Sequence, residues 1–209
     1  ALSHGITVSG SDAKDSSVVT ALSALGATVS TSHSAENVDG ADLVVYSNAI
    51  SQSNPERVRA QELKLPILTR AAALAILMSE SKSVAVAGTH GKTTTSSMLA
   101  VALQACAADP SFAIGGTITA SGSNAHRGTG EIFVAEADES DGSFIEYHPF
   151  GAIVTNVEHD HVDFFETPEA VAQAFRDFAA TIKPGGFLTY CADDAGAVAL
   201  RSEERRVGK

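Results

Sequence analysis

The run Gly88-Thr89-His90-Gly91-Lys92-Thr93-Thr94-Thr95 sets a lysine and three hydroxyls directly after the short apolar run Val84-Ala85-Val86-Ala87. Residues of these types at a strand end can cradle phosphate. Met98, Leu99, Val101 and Leu103 mark the helix expected next. The loop then lies at a helix N-terminus, where unpaired backbone N–H groups and the positive end of the helix dipole face an anion. Gly88 and Gly91 let the backbone approach phosphate closely, Lys92 offers a charge to the outer phosphates, and Thr93 can place its hydroxyl on a magnesium ion. The common phosphate loop has a glycine five residues before its Gly-Lys pair. Here that position is Val86, so the loop is a shortened variant. The alternative is an ordinary glycine turn between strand and helix.

Two further polar clusters follow apolar runs in the same way. One is Glu136-Ala137-Asp138-Glu139-Ser140-Asp141-Gly142-Ser143-Phe144; the other is Asn156-Val157-Glu158-His159-Asp160-His161-Val162-Asp163. In a parallel sheet all three loops open on one edge, so carboxylates and imidazoles converge on the phosphates. Hard oxygen ligands suit magnesium, which neutralises charge developing on a γ-phosphate. A carboxylate cluster this dense is expected to repel itself unless it binds something. Taken singly, the clusters also read as a solvated acidic loop and a pair of surface histidines.

The elements that must position these loops alternate β-like runs with helical patterns, the mark of a parallel sheet with crossover helices. Residues 1–80 read as a Rossmann-like domain lacking its first strand. It comprises a strand at Ile6-Thr7-Val8, a helix near Ser16 to Leu25, strands at Thr28–Ser30 and Leu43–Tyr46, a helix near Pro55 to Leu63 and a strand at Ile67-Leu68. Ser9-Gly10-Ser11-Asp12 is expected at the carboxyl end of its strand, where ligands bind, and Ser47-Asn48 at another strand end; either is also explained as a cap or turn. Arg70 to Glu80 reads as a helix leading into a P-loop α/β domain over 81–200, itself incomplete. That domain has strands at Phe112–Ile114, Ile132–Ala135, Ala152–Thr155 and Phe187–Tyr190, with a glycine-rich polar loop reaching Gly130. Thr167 caps a helix with Pro168 at its first position, and Val171, Phe175, Phe178 and Ile182 form a stripe that belongs to a core.

At 209 residues and 44% hydrophobic content the chain can bury one good core or two modest ones. Its net charge of -11 argues against nucleic acid and anionic membrane as partners, while one loop can still be locally positive. Cys106 and Cys191 are far apart and lack metal-ligand spacing, which fits a reducing cytosol. No apolar run is long enough to span a bilayer, and the first residues lack a signal-peptide pattern, so a cytoplasmic location is expected. The chain opens as if an upstream element had been cut away. Residues 201–209 change composition abruptly and read as a non-native tail; without their four basic and two acidic residues the rest is more acidic still.

These residues carry a resemblance. The phosphate loop Gly88–Thr95, the acidic motif Glu136–Phe144, Thr155-Asn156-Val157-Glu158 leading to Asp160-His161, and Ser47-Asn48-Ala49-Ile50-Ser51 are together similar to the bacterial Mur ligases over residues 1 to about 200. Asp138-Glu139-Ser140-Asp141 resembles the alanine-adding branch. The resemblance implies an N-terminal UDP-binding domain, a central ATPase domain and a C-terminal domain not contained in this chain. It implies ATP-dependent amide-bond formation through an acyl phosphate, with UDP-N-acetylmuramate and L-alanine as substrates and ATP and magnesium as cofactors.

Carried onto matching positions, the resemblance makes Lys92, Glu139 and His161 catalytic. Gly88, Thr89, His90, Gly91, Lys92, Thr93 and Thr94 hold the nucleotide. Thr93 and Glu139 ligate one magnesium, and His161 with Glu139 a second. Glu136 either faces the same edge or orders its loop. Ser9, Asp12 and Ser47, and Asn124, His126 and Arg127 further on, are substrate-binding candidates; the family often has arginine where His126 stands. Some relatives use a carbamylated lysine after the histidine motif, and residues 171–181 contain none. The rival readings are a ligase that recycles whole murein peptides, a folylpolyglutamate-type ligase, and a P-loop switch or transport ATPase.

Overall fold

The structure is a computed structural model and describes Leu2, residues 5–119 and residues 121–200. The 201–209 tail lies outside these. The chain divides into two compact units between Arg70 and Ala71.

The first unit is built from two short parallel strand pairs. Strand β1 (Ser9–Ser11) pairs with β2 (Thr28–Ser30), and β3 (Val44–Tyr46) with β4 (Ile67–Thr69). Helix α1 (Ser17–Ala24) connects the first pair, capped by the Ser16 hydroxyl, which accepts from the Val19 N–H. Helix α2 (Pro55–Glu62) connects the second; Asn54 caps it and Pro55 opens it, a position where the missing N–H costs nothing. A 3₁₀ turn, Ala35–Val38, lies between β2 and β3. One expectation is corrected here. The first strand is Ser9–Ser11, not the more apolar Ile6–Val8, because β2 is only three residues long and pairs Thr28 with Ser9, leaving Ile6 without a partner opposite and largely exposed. Ser9 and Gly10 therefore lie within the strand, and Asp12 follows it.

The second unit holds a six-stranded sheet in the order β10-β9-β5-β8-β6-β7, formed by β5 (Lys82–Ala87), β6 (Ser111–Ile118), β7 (Ser123–His126), β8 (Ile132–Glu136), β9 (Gly151–Val154) and β10 (Phe187–Tyr190). All neighbours are parallel except β6 and β7. Ala85, Val86, Ala87, Val134, Ala135, Ala152 and Val154 are wholly buried, as expected of parallel strands covered on both faces. The helices are α3 (Arg70–Ser79), α4 (Lys92–Ala105), α5 (Pro168–Ala180) and the short α6 (Ala195–Val198). The expected polar loop up to Gly130 is instead an antiparallel hairpin. Beyond Ile114, β6 runs on through Gly115 and Gly116 to Ile118 and folds back as β7, so Asn124 and His126 sit on a strand.

Helix α5 begins where its sequence requires. Thr167 accepts from the Ala170 N–H at 3.2 Å, and Val171, Phe175, Phe178 and Ile182 are all buried. Phe144 stacks on Phe178 with ring centroids 4.9 Å apart and meets Phe175 edge-on at 5.3 Å. Phe144 closes the acidic motif, in a 3₁₀ turn spanning Ser143–Glu146. The core thus grips the far end of the loop whose Glu139 meets Lys92 of the phosphate loop. Phe144→Ala is expected to cost about 3–5 kcal/mol in urea unfolding, the usual range for emptying a buried aromatic site. Met98→Ala, at a position 68% exposed, should change stability by less than about 0.5 kcal/mol.

Candidate active site

Strand β5 lies between β8 and β9, so the loops after these three adjacent parallel strands open on one edge of the sheet. The phosphate loop leaves β5 at Gly88 and enters α4 at Lys92. Gly88 has φ +136°, and a Cβ there would lie 2.0 Å from the Thr155 hydroxyl oxygen, so the position admits glycine alone. Gly91, with φ +80°, is the residue before the helix.

The loop after β9 holds the phosphate loop from beside it. Asn156 Oδ1 accepts from the His90 N–H at 2.8 Å while Asn156 Nδ2 donates to the His90 carbonyl at 3.0 Å. The Thr89 N–H donates to the Asn156 carbonyl at 3.2 Å, and the buried Thr89 hydroxyl accepts from the Glu158 N–H at 2.9 Å. The Thr155 hydroxyl donates to the His90 carbonyl at 2.5 Å. These bonds clamp the loop's backbone before any ligand arrives.

Lys92 Nζ donates to Glu139 at 2.8 and 3.0 Å and to the Gly88 and Thr89 carbonyls at 2.8 and 3.3 Å. Glu139 is 1% exposed, and His161 Nε2 lies 3.4 Å from its Oε1. The three residues expected to be catalytic, one from each loop, therefore meet. His161 adopts φ +52°, an uncommon backbone state for a residue with a side chain, and its N–H donates to Asp160 Oδ1 at 2.7 Å. That bond is the main reason the Asp160 carboxyl sits below the ordinary carboxylate range.

The self-repulsion expected of the acidic motif does not arise. Asp138 and Asp141 accept from the backbone N–H groups of Ser140 and Ser143, and Glu139 has its lysine. Glu136 faces the same edge and also orders its surroundings, accepting from the Thr93 hydroxyl at 3.0 Å and the Gly115 N–H at 2.8 Å. Among the described residues no three His, Cys, Asp or Glu side chains converge as a metal cage. The donors present at this edge are the Thr93 hydroxyl, the Glu139 carboxylate and the His161 imidazole. They suit a magnesium ion that takes one or two protein ligands and completes its shell with phosphate and water.

A second cavity belongs to the first unit. It is a cleft of about 370 Å³ lined by Ser9, Ser11, Asp12, His33, Tyr46, Ser47, Glu56 and Arg57 among others, three of which are expected substrate-binding residues. Asn124, His126 and Arg127 belong to the second unit, on or just after β7. The His126 ring lies 3.3 Å from Asp109 and packs on Phe112. Sequence reasoning missed the cleft's inner residues. The Arg57 guanidinium lies 4.0 Å above the Tyr46 ring and donates to the Ile50 carbonyl. Glu56 accepts from the Ser11 hydroxyl and from Asn37 Nδ2, each at 2.7 Å. The Asn54-Pro55-Glu56 helix start was the one available signal, and it reads as capping alone.

Fold and site together define a parallel α/β protein with a strand–phosphate loop–helix unit and a Rossmann-like partner unit. The chain belongs to the Mur ligase family: residues 86–208 match the Mur ligase middle domain, and residues 1–82 match the Mur ligase family, catalytic domain. Among curated relatives, it is 55% identical to a UDP-N-acetylmuramate–L-alanine ligase of a Nocardioides species, covering 100% of this chain and 47% of the relative. It is 54% identical to the ligase of that name from Saccharopolyspora erythraea, covering 99% and 43%. The chain thus spans less than half the length of these relatives.

Among solved structures it resembles the UDP-N-acetylmuramate:L-alanyl-γ-D-glutamyl-meso-diaminopimelate ligase of Neisseria meningitidis, with TM-score 0.88 and 30% identity over 97% of this chain and 68% of that one. It also resembles the UDP-N-acetylmuramate–alanine ligase of Thermotoga maritima, with TM-score 0.85 and 32% identity over 95% and 46%. Among the described residues no helix is long and apolar enough to cross a membrane.

Two outcomes are expected from this geometry. Gly88→Ala should weaken binding of a non-hydrolysable ATP analogue at least about tenfold by calorimetry, since the loop must move to admit the methyl. Burial pushes the Glu56 carboxyl up, but hydrogen bonds from Ser11, Asn37 and the Ser34 N–H and the nearby His33 outweigh it and hold the group below the ordinary carboxylate range. A lowered native value contributes stability above the unfolded value that is lost as pH falls through the native one. The urea midpoint should therefore fall less steeply in Glu56→Gln than in the native chain as pH is lowered from about 5 to about 3.

Proposed function

We propose that this chain is the nucleotide-sugar and ATP-binding part of a ligase that joins L-alanine to UDP-N-acetylmuramate, in the synthesis of peptidoglycan precursors in the cytoplasm. The observation that carries the reading is the meeting of Lys92, Glu139 and His161 at the edge where β5, β8 and β9 end. The choice of amino acid rests on the curated relatives at 52–55% identity, which bear the alanine-ligase name.

In this reading the lactyl carboxylate of UDP-N-acetylmuramate attacks the γ-phosphorus of ATP, and ADP leaves. The amine of L-alanine then attacks the acyl carbon of the resulting acyl phosphate. A tetrahedral intermediate collapses with loss of inorganic phosphate and a proton, giving the amide. The protein forms no covalent bond to substrate. Its work is positioning and electrostatic stabilisation. The clamp engages the Thr89 and His90 N–H groups with Asn156, so the backbone N–H groups offered to the phosphates are those from Gly91 to Thr94 at the start of α4. Lys92 holds the β- and γ-phosphates. Thr93 and Glu139 would hold one magnesium, and His161 with Glu139 a second, which would supply neutralisation of charge on the transferring phosphoryl group. Ser9, Asp12 and Ser47 line the nucleotide-sugar cleft, and Asn124, His126 and Arg127 are the candidates for contact with the sugar-linked carboxylate.

In the full-length protein, Lys92→Ala should abolish ADP release in the presence of UDP-N-acetylmuramate while leaving binding of that sugar within about threefold of native. Full turnover by the variant would overturn the role given to Lys92. The Neisseria structure keeps a second reading open, attachment of a whole peptide. A panel of L-alanine against L-alanyl-γ-D-glutamyl-meso-diaminopimelate in the intact protein separates the two, and alanine is expected to be the substrate that supports ADP release.

A further inference from the structure

The first unit contains a relay that the proposed reaction does not use. Ser11, the last residue of β1, lies with its hydroxyl 2.7 Å from Glu56 Oε2 and 2.9 Å from His33 Nδ1. Glu56 is anchored on its other side, where Oε1 accepts from Asn37 Nδ2 at 2.7 Å and from the Ser34 N–H at 3.4 Å. Its side chain is 16% exposed, His33 and Ser11 line the cleft, and all five residues belong to the first unit.

A hydroxyl has a single hydrogen, and an ionised carboxylate only accepts. If Ser11 gave its hydrogen to His33, two oxygen lone pairs would face each other at 2.7 Å. The hydrogen must therefore go to Glu56, and the Ser11 oxygen must accept from His33. That requires the neutral ring to carry its proton on Nδ1 and leaves Nε2, across the ring, as an acceptor.

We propose that Glu56 is a positioning residue of the cleft: acting through Ser11 it sets the His33 tautomer, so that Nε2 accepts a hydrogen bond from an N–H or O–H donor of the bound nucleotide-sugar. The ligand half of this statement rests on reading the cleft as the UDP-N-acetylmuramate site; the tautomer half does not. Glu56→Gln makes a specific test. The amide oxygen can take over the contacts from Asn37 and Ser34, which places the amide NH₂ where Oε2 stood. The relay then reverses: the amide donates to Ser11, Ser11 donates to Nδ1, and the His33 proton moves to Nε2. A role limited to packing would leave the proton where it is.

The test is a long-range ¹H–¹⁵N correlation spectrum of the ¹⁵N-labelled chain, in which the two neutral tautomers and the doubly protonated ring give distinct patterns. The His33 signals are assigned by their loss in His33→Gln. The native chain should show His33 as the Nδ1–H form and Glu56→Gln as mainly the Nε2–H form, with far-ultraviolet circular dichroism unchanged. Ser11→Ala removes the hydroxyl step and leaves Glu56 only its direct 3.5 Å approach to His33 Nδ1, so it should give a mixture, and it tests the role of Ser11 should Glu56→Gln not fold. An Nε2–H form in the native chain, or an unchanged Nδ1–H form in a folded variant, overturns the proposal.

Titration with UDP-N-acetylmuramate should shift the native His33 Nε2 resonance, and Glu56→Gln should bind it about tenfold more weakly. A native chain that does not bind this sugar overturns the nucleotide-sugar reading and the ligand role of Nε2 with it. The spectra without ligand still decide whether Glu56 governs His33.

Discussion

A lysine ammonium and a carboxylate held 2.8 Å apart and largely out of water join two loops of the second unit. Removing both groups from water carries a penalty that their attraction offsets only when the remaining donors and acceptors are satisfied as well. Here they are. Lys92 gives further hydrogen bonds to the Gly88 and Thr89 carbonyls, and His161 approaches Glu139 from the third loop. Taking away either partner would leave a buried charge alone, a loss of about 3–5 kcal/mol in comparable cases. The pair therefore ties the loops after β5 and β8 to one geometry, with the loop after β9 brought in through His161.

The packing behind the pair is arranged to keep it in place. The acidic loop is held at its far end by Phe144 between Phe175 and Phe178, so the apolar stripe of α5 reaches the site through one ring. On the other side of β8, Glu136 links the Thr93 hydroxyl to the Gly115 N–H. A Cβ at Gly115 would lie 2.6 Å from Glu136 Oε1. The bare backbone of β6 is thus what lets this carboxylate reach both partners. Strand β6 carries the β6–β7 hairpin, so α4 and the hairpin share a hydrogen-bonded anchor in Glu136.

Much of this was legible in the amino-acid order, and the reasons differ by region. Strands β5, β8 and β9 are short apolar runs ended by polar clusters, and parallel pairing alone is enough to put those clusters on one edge. Helix α5 announced itself through Thr167, Pro168 and the 3.6-residue stripe. What could not be read were features set by pairing. Ile6–Val8 looked more strand-like than Ser9–Ser11, yet the register of β2 decided the matter. The stretch from Gly115 to His126 is rich in glycine and polar residues and has the composition of a loop, but β6 and β7 pair with each other, Ile118 opposite Ser123 and Phe112 opposite His126, and make it a hairpin. The Ser11–His33–Glu56 relay joins residues 22 and 45 positions apart, a separation no local pattern reveals.

The comparisons sharpen where specificity resides. A ligase named for a tripeptide and a ligase named for alanine match this chain almost equally in fold, at TM-scores of 0.88 and 0.85. The fold of this chain therefore does not by itself separate the two names. The proposed reaction leads to the same expectation, since activating a carboxylate as an acyl phosphate involves the same phosphates and the same charges whatever nucleophile follows. Sequence identity separates what fold does not, since the curated relatives at 52–55% bear the alanine name. The choice of amine must then act through side chains set on this common frame and through the part of the relatives that this chain does not span. In the proposed reaction the clamped phosphate loop and the Lys92–Glu139 pair belong to the carboxylate-activating step, which precedes the choice of amine.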